Sequence, residues 1–200
     1  FAAASSKVFN MKIIDKWPQG LTFEEIPETA INTTLELNAS SSRGLPVSFT
    51  ATSGASFTSI SGNQVTFSAI GLVTIEARQD GNSTVAGAAP IARSFRVKRP
   101  VTLSFDPIAR MGNDQQFDVV ATVKDTINDK VLSGAQAPVP AFSVVGPASV
   151  VGKRIICSDV GSSTANVTIT AIINSNYYMT TTKQTSFIID GSKTGQKIEL

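Results

Sequence analysis

The sequence contains no histidine and only one cysteine in 200 residues. Without histidine it lacks the base of Ser-His-Asp and Cys-His catalysis and the commonest side-chain ligand of transition metals. A single cysteine forms no internal disulfide and no cysteine-based zinc site. These absences predict a protein that is not an enzyme and that carries no metal and no cofactor.

Charge is scarce as well. Charged residues make up 16% of the chain, and 17 Lys and Arg against 15 Asp and Glu leave a net charge of +2. An average soluble domain has about 25% charged residues. A net charge this small gives a weak electrostatic field, which does not favour nucleic acid as a partner. Apolar runs stay well below the roughly 20 residues of a membrane helix, so no membrane span is predicted in this segment.

Short alternations of apolar and polar residues run through the whole chain. They are clearest at 33–39, 47–49, 65–69 and 73–77, and again at 117–121 and 167–171. A period of two places one face of a strand in a core and the other in water. The alternations are rich in Val, Ile, Thr and Phe and are separated by Gly, Asn and Ser. This pattern predicts an all-β sandwich.

The chain also contains an internal repeat. LTFEEIP at 21–27 matches LSFDPIA at 103–109, VTIEA at 73–77 matches VTITA at 167–171, and SFRV at 94–97 matches SFII at 186–189. Asn82 is matched to Asn176. A four-residue slip at 162–165 predicts a longer hairpin loop, and a second insertion lies at 125–138. Insertions that fall between strand motifs are expected of a duplicated sandwich.

The stretch from Gly44 to Pro90 carries a recognisable order of motifs. Gly44-Leu45-Pro46-Val47 leads to a Gly62-Asn63 turn, and the strand at 73–77 is followed by Gly81-Asn82. This order resembles the bacterial Ig-like (Big-type) repeats of surface and secreted proteins. The resemblance implies an immunoglobulin-like fold, a bacterial extracellular or cell-surface location, and neighbouring repeats of the same chain as partners.

Repeat and resemblance together predict two tandem immunoglobulin-like β-sandwiches, at 16–99 and 100–190. Residues 1–15 are expected to be the closing strand of a preceding repeat or an N-terminal tail. Residues 191–200 are expected to be a linker and the first strand of a next repeat. Disordered flanks are the alternative for both ends. The short linker between the sandwiches predicts a semi-rigid rod.

Exposed aromatic and linker residues are the candidate contact sites. Tyr177 and Tyr178 are the best candidates for carbohydrate binding, because flat aromatic rings stack on sugars. The favoured alternative is a loop whose rings cover the end of the core or make an inter-domain contact. Trp17, Arg99 and Pro100 are predicted to make inter-domain contacts. As a basic cluster, Lys98-Arg99-Pro100 could contact an anionic polymer. The favoured interpretation is a short, stiff, solvated linker, since proline holds the preceding residue extended.

The remaining candidates are an acidic set and the cysteine. Calcium at a domain junction would use Glu24, Glu25 and Asp80, or Asp106 and Asp159, but no Asp-x-Asp-x-Asp run exists, and solvated charges are the favoured interpretation. Cys157 aligns with Phe67 and is expected to be a small buried hydrophobe rather than a reactive thiol.

Two hypotheses of function follow. The leading one is a structural spacer or stalk segment of a longer surface repeat protein, of the adhesin or surface-layer type, that acts through protein–protein contacts. The alternative is a carbohydrate-binding accessory module of a secreted enzyme or adhesin. Other surface proteins and glycans are therefore the expected partners beyond the neighbouring repeats.

Overall fold

The computed structural model describes residues 15–135 and 137–192. Within these residues every regular element is a strand, apart from one 3-10 turn at Ala55–Phe57. The all-β prediction is confirmed: the chain forms two tandem immunoglobulin-like sandwiches. The strands predicted before residue 15 and after residue 192 lie outside the described residues.

Eighteen strands occur in the described residues. The first copy contains β1 (Leu21–Phe23), β2 (Thr29–Ala30), β3 (Thr34–Glu36), β4 (Ala39–Ser41), β5 (Ser48–Ser53), β6 (Thr58–Ser61), β7 (Gln64–Phe67), β8 (Gly71–Arg78) and β9 (Ile91–Lys98). The second contains β10 (Val101–Phe105), β11 (Gln116–Asp118), β12 (Ala121–Asp125), β13 (Lys130–Val131), β14 (Ala141–Val145), β15 (Ala148–Val151), β16 (Arg154–Cys157), β17 (Thr164–Ile173) and β18 (Thr181–Asp190).

The same pairing scheme occurs in both copies. In the first, β1 pairs with β4, the order β3-β7-β6 forms one sheet, and β2-β9-β8-β5 forms another in which β2 lies parallel to β9. In the second, β10 pairs with β12, the order β11-β16-β15 forms one sheet, and β14-β17-β18 forms another. A parallel bridge from Met111 to Ile189 takes the place of β2. The sequence repeat is therefore a repeat of topology.

The core of the second copy lies between two of its sheets. Ile155 and Cys157 of β16 pack in one cluster with Val167 and Ile169 of β17 and with Phe187 of β18. Phe117 of β11 meets the ring of Phe187 edge-on, with 5.3 Å between the centroids. Cys157 is 1% exposed, so the prediction of a buried, hydrophobe-like cysteine is confirmed.

By its internal contacts the chain divides into two compact units. The first unit comprises 15–27, Thr34–Thr66 and Leu72–Phe95; the second comprises Glu28–Thr33, Phe67–Gly71 and the described residues from 96 to 192. The boundaries at 16–99 and 100–190 that the repeat suggests stay a prediction.

Two of the predicted strands are each divided in the structure. The alternation at 33–39 becomes β3, which pairs with β7, and β4, which pairs with β1. The alternation at 117–121 likewise becomes β11, paired with β16, and the start of β12, paired with β10. Alternation indicates which face of a strand is buried, but it does not indicate which neighbouring strand is the hydrogen-bond partner. The chain therefore changes sheets without interrupting the pattern.

The predicted hairpin loop at 162–165 is partly wrong. Thr164 and Ala165 belong to β17 and lie opposite Asp190 and Ile189 of β18. The extra residues lengthen this ladder to ten residues in each strand, whereas β8 and β9 of the first copy have eight each. Thr164 and Ala165 are the two added residues that enter the ladder, and threonine is among the residues enriched in strands.

Candidate functional site

Each copy begins with a residue that is hydrogen-bonded into the loop before its last strand. In the first copy the Trp17 N–H donates to the Thr84 carbonyl at 2.9 Å, and the Ala86 N–H donates to the Trp17 carbonyl at 2.9 Å. In the second, the Arg99 N–H donates to the Tyr177 carbonyl at 2.8 Å, and the Met179 N–H donates to the Arg99 carbonyl at 2.9 Å. Trp17 and Arg99 are therefore equivalent positions.

This equivalence corrects the register of the repeat. Val85 bridges Trp17 and Tyr178 bridges Arg99, so Tyr178 is the counterpart of Val85. Ser175, and not Asn176, is the counterpart of Asn82, because each accepts a backbone N–H from two residues further on, at 3.1 and 2.9 Å. The predicted match of Asn82 with Asn176 is wrong by one residue, since the second loop is one residue shorter.

Trp17 lies at the surface of the first unit. Its side chain is 64% exposed, and the Arg43 guanidinium lies 5.5 Å from the ring centroid. A cation over an indole ring at this distance gives an attractive contact. The inter-domain contact predicted for Trp17 stays a prediction.

The two tyrosines of the second unit differ in environment. Tyr178 is half-buried and packs against the cluster that contains Val101, Leu103 and Ile173. Tyr177 is 65% exposed. The ring of Tyr178 thus covers the end of the core, as the alternative interpretation of the sequence has it, while the ring of Tyr177 remains accessible.

Arg99 is held beside a buried carboxylate. Its Nε lies 2.7 Å from Oδ2 of Asp125, whose side chain is 4% exposed. The Nε is itself buried and makes no aligned hydrogen bond among the described residues, so this contact is an ion pair. Asp125 also accepts the Ile127 N–H at 2.9 Å and the Asn128 side-chain amide at 3.2 Å. These contacts hold the guanidinium in place.

Arg99 and both tyrosines line one cleft of the second unit. The cleft has a volume of about 640 Å³, and its walls include Ile70, Pro138 and Ser175. The sequence predicted a carbohydrate role for the tyrosines and a different role for Arg99, and the structure brings them together. Pro138 comes from the insertion at 125–138, which nothing in the repeat marked as functional. Pro100 follows the cleft residue Arg99 in the chain. Its carbonyl accepts hydrogen bonds from the hydroxyl and the backbone N–H of Thr126.

Comparisons with known proteins give only distant likenesses. No family model matches the chain, and no curated protein matches it. Among solved structures, the fibronectin(III)-like modules of Clostridium thermocellum CbhA align over 90% of this chain and 99% of theirs, with 10% identity and a TM-score of 0.40. Immunoglobulin domains 1–4 of Sidekick-1 align over 88% of this chain and 49% of theirs, with 12% identity and a TM-score of 0.39.

Domains 4 and 5 of the S-layer protein SbsC align over 86% of this chain and 96% of theirs, with 13% identity and a TM-score of 0.30. The chain thus spans about half of the Sidekick-1 chain and nearly all of the CbhA and SbsC fragments. The Big-type resemblance stays a prediction.

Two of the carboxylates considered for calcium, Glu25 and Asp159, have partners within the protein. Glu25 forms an ion pair with Arg93 at 2.7 Å, and Asp159 accepts the Gly161 N–H at 2.8 Å. Within the part of the chain that the structure describes, no group of three or more Asp, Glu, Cys or His side chains is placed to hold a metal ion. In the same residues, no helix has the length and apolar character needed to cross a membrane.

Lys98 corrects the prediction of a solvated linker. It is 6% exposed and forms an ion pair with Glu28. The other carboxylate oxygen of Glu28 accepts the Thr180 N–H at 2.8 Å. Partial burial raises the pKa of Glu28, but the Lys98 ammonium and the Thr180 N–H outweigh it and hold the pKa below its ordinary value. The sequence missed this contact because Glu28 and Thr180 are 152 residues apart.

Proposed function

We propose that this chain is a structural spacer or stalk segment of a longer extracellular or cell-surface repeat protein. The observation that supports it most directly is the repeated pairing scheme, in which each copy takes its leading linker residue into its own hydrogen-bonded loop. Each copy therefore includes the linker residue that joins it to the preceding copy, and a repeat protein becomes longer by the addition of such copies. Bacterial origin and an adhesin or surface-layer parent are part of this proposal.

The spacer role is tested in the full-length surface protein by deleting residues 16–190. Accessibility of the distal part to a large antibody on intact cells is expected to fall, while its binding in solution stays unchanged. Replacing the segment with an unrelated tandem sandwich of equal length is expected to restore accessibility. Loss of a binding or enzymatic activity in solution, unrestored by the replacement, would contradict a spacer.

The cleft favours carbohydrate binding as a second function. It combines an exposed tyrosine, a hydroxyl and a guanidinium, which are the groups that stack on sugar rings and hydrogen-bond their oxygens. Its volume of about 640 Å³ falls within the roughly 300–1,000 Å³ of small-molecule sites.

A glycan array tests this second function. Tyr177→Ala is the diagnostic variant, because Tyr178 also supports the core. Trp17→Ala is the matched control, since Trp17 is an equally exposed aromatic residue outside the cleft. Binding that Tyr177→Ala removes and Trp17→Ala retains is expected. If the wild type binds no glycan, the carbohydrate hypothesis fails and the spacer hypothesis is unaffected.

A further inference from the structure

The geometry points to a carboxylated sugar as the ligand of the cleft, with Arg99 as the group that recognises the carboxylate. This inference rests on the proposed carbohydrate-binding function and narrows it to one class of glycan. Arg99 alone carries a charge among the residues that the structure describes in the cleft wall. From the sequence, Arg99 is predicted to make an inter-domain contact, with a solvated linker or a basic cluster that contacts an anionic polymer as the alternatives.

Arg99 is positioned before any ligand arrives. Its backbone is hydrogen-bonded on both sides, to the carbonyl of Tyr177 and to the N–H of Met179. Its Nε is buried against Asp125, whereas 34% of the whole side chain is exposed. The accessible part of the side chain therefore lies away from Nε. Neither Nη1 nor Nη2 makes a hydrogen bond within residues 15–135 and 137–192.

A guanidinium with one side fixed and its terminal donors free suits a planar carboxylate. Two parallel N–H groups meet the two carboxylate oxygens, and such bidentate pairs are stronger than hydrogen bonds between neutral groups. Ordering a long side chain normally opposes binding. Here the backbone bonds and Asp125 have already restricted Arg99, so less of that cost remains.

Asp125 offsets part of the Arg99 charge, but its carboxylate does not enter the cleft. Its carboxylate is 4% exposed and is not part of the cleft wall. Its oxygens are engaged by donors of the turn that begins at Thr126, including the Ile127 N–H at 2.9 Å. A buried carboxylate that is hydrogen-bonded in this way orients Arg99 from behind. A ligand carboxylate is then the second partner of the guanidinium.

The rest of the wall suits a sugar ring. Tyr177 offers an exposed aromatic ring. The Ser175 hydroxyl accepts the Tyr177 N–H at 3.1 Å, so its own proton remains available to a ligand oxygen. An apolar ring beside a hydroxyl and a charged fork matches a uronic acid, which has an apolar face, hydroxyl groups and one carboxylate.

The test compares trigalacturonate with its methyl ester by titration calorimetry, using the full chain. The two probes share their rings and hydroxyls and differ in charge. The wild type is expected to bind the acid about tenfold or more tightly than the ester, since hydrogen bonds to charged groups are the stronger class. Arg99→Gln is expected to remove this preference. Arg154→Gln, a change at another ion-paired arginine of the same unit outside the cleft, is expected to retain it.

The possible failures are separable. Equal binding of acid and ester, or a glycan array that shows only neutral or sulfated ligands, would overturn the carboxylate inference and leave carbohydrate binding standing. No binding of either probe together with an empty array would overturn both. A preference that Arg154→Gln removes as well would reveal general charge attraction and also refute the inference.

A second variant covers the case in which Arg99→Gln fails to fold. Arg99→Lys keeps a positive charge beside Asp125 but has no fork of paired donors. It is expected to bind the acid more weakly than the wild type does, with the ester unaffected. If Arg99→Lys fully retained the preference for the acid over the ester, a positive charge alone would be sufficient for recognition, and the proposed bidentate contact would be wrong.

Discussion

The side-chain amide of Gln19 donates a hydrogen bond to the side-chain oxygen of Gln79, which is only 7% exposed. At the equivalent positions the second copy has Val101 and Ile173, which are buried in one apolar cluster. Gln79 also accepts the Gly81 N–H at 2.6 Å, and Gln19 donates to the Ala86 carbonyl at 2.7 Å. At the same position in the fold, the first copy therefore has a hydrogen-bonded polar pair and the second copy has an apolar pair.

Breaking the polar pair one side at a time is expected to destabilise the first unit. Gln19→Val or Gln79→Ile alone leaves the other amide buried with a lost partner, at about 1–3 kcal/mol each. The double variant, which copies Val101 and Ile173, is expected to lose less than the sum, because neither side-chain amide is left without its partner. Urea unfolding followed by the fluorescence of Trp17, the only tryptophan, measures the transition.

Additive losses in this double-mutant cycle would contradict the coupling of Gln19 and Gln79. Gln184→Val is a suitable control, since Gln184 is exposed on β18 of the second unit. It is expected to leave the Trp17 transition unchanged.

Two turn glycines of the first unit should differ in their tolerance of alanine. Gly62 and Gly81 both have positive φ, at 61° and 79°. A Cβ at Gly62 meets nothing within 4 Å, whereas a Cβ at Gly81 would lie 2.3 Å from the Val85 carbonyl oxygen. Gly62→Ala is expected to cost about 1–2 kcal/mol from backbone strain alone. Gly81→Ala is expected to cost clearly more, because the loop that holds Trp17 must shift.

Urea midpoints of the two variants measure this difference. Equal losses would show that the close approach of Gly81 to Val85 is relieved without cost. The Gly62→Ala variant is the internal control for the backbone contribution.

Glu28 should make the stability of the second unit depend on pH. Its pKa in the folded chain is lower than the ordinary value of 4.5. Its contribution is therefore fully present above pH 4.5 and is lost as the pH falls through the folded-state pKa. Glu28→Gln is expected to reduce stability at pH 7, because the buried Lys98 ammonium loses its carboxylate partner. The variant is also expected to lose less stability than the wild type as the pH falls from 7 to 3.

Thermal unfolding of both proteins from pH 7 down to pH 3 measures the effect. Glu25→Gln is the matched control, since Glu25 is 82% exposed in its ion pair with Arg93 and is expected to change stability little. A wild type and a Glu28→Gln variant with parallel pH profiles would refute the assigned role of Glu28.

Cys157 should be unreactive until the second unit unfolds. Burial raises the pKa of its thiol, and the side chain is 1% exposed. The thiolate is the reactive form, so both effects slow attack on a disulfide reagent. With Ellman's reagent at pH 8, the native chain is expected to react only at the rate of unfolding, and the chain in urea at once.

A cysteine moved by one residue provides the control. Cys157→Ala with Ser158→Cys places the thiol at an exposed position, and fast reaction of the native protein is expected. Fast reaction of the unchanged native chain would contradict the buried environment of Cys157.

Most of the strand positions could be predicted from local sequence. Val65 and Phe67, Val73 to Ala77, and Val167 to Ala171 are buried where alternation places them. The pairing partners at 33–39 and 117–121 could not be predicted, because a change of sheet leaves the alternation intact. The match of Ser175 with Asn82 could not be predicted either, since Ser and Asn side chains both accept a backbone N–H in a tight loop.

The candidate site was less accessible to prediction than the fold. The aromatic pair at Tyr177 and Tyr178 stood out in the sequence, but the different burial of its two rings depends on residues far away in the chain. The sequence predicts a solvated cation at Lys98, whereas the structure buries it in an ion pair with Glu28, which offsets the cost of burying the charge.

The sequence by itself determined the all-β class and the duplication, because burial with a period of two and repeated motifs are properties of neighbouring residues. Tertiary structure decided which strands pair, that Lys98 is buried, and that Arg99 and Tyr177 share one cleft. These outcomes depend on contacts between residues tens of positions apart, and the pattern of a single strand contains no record of its distant partners.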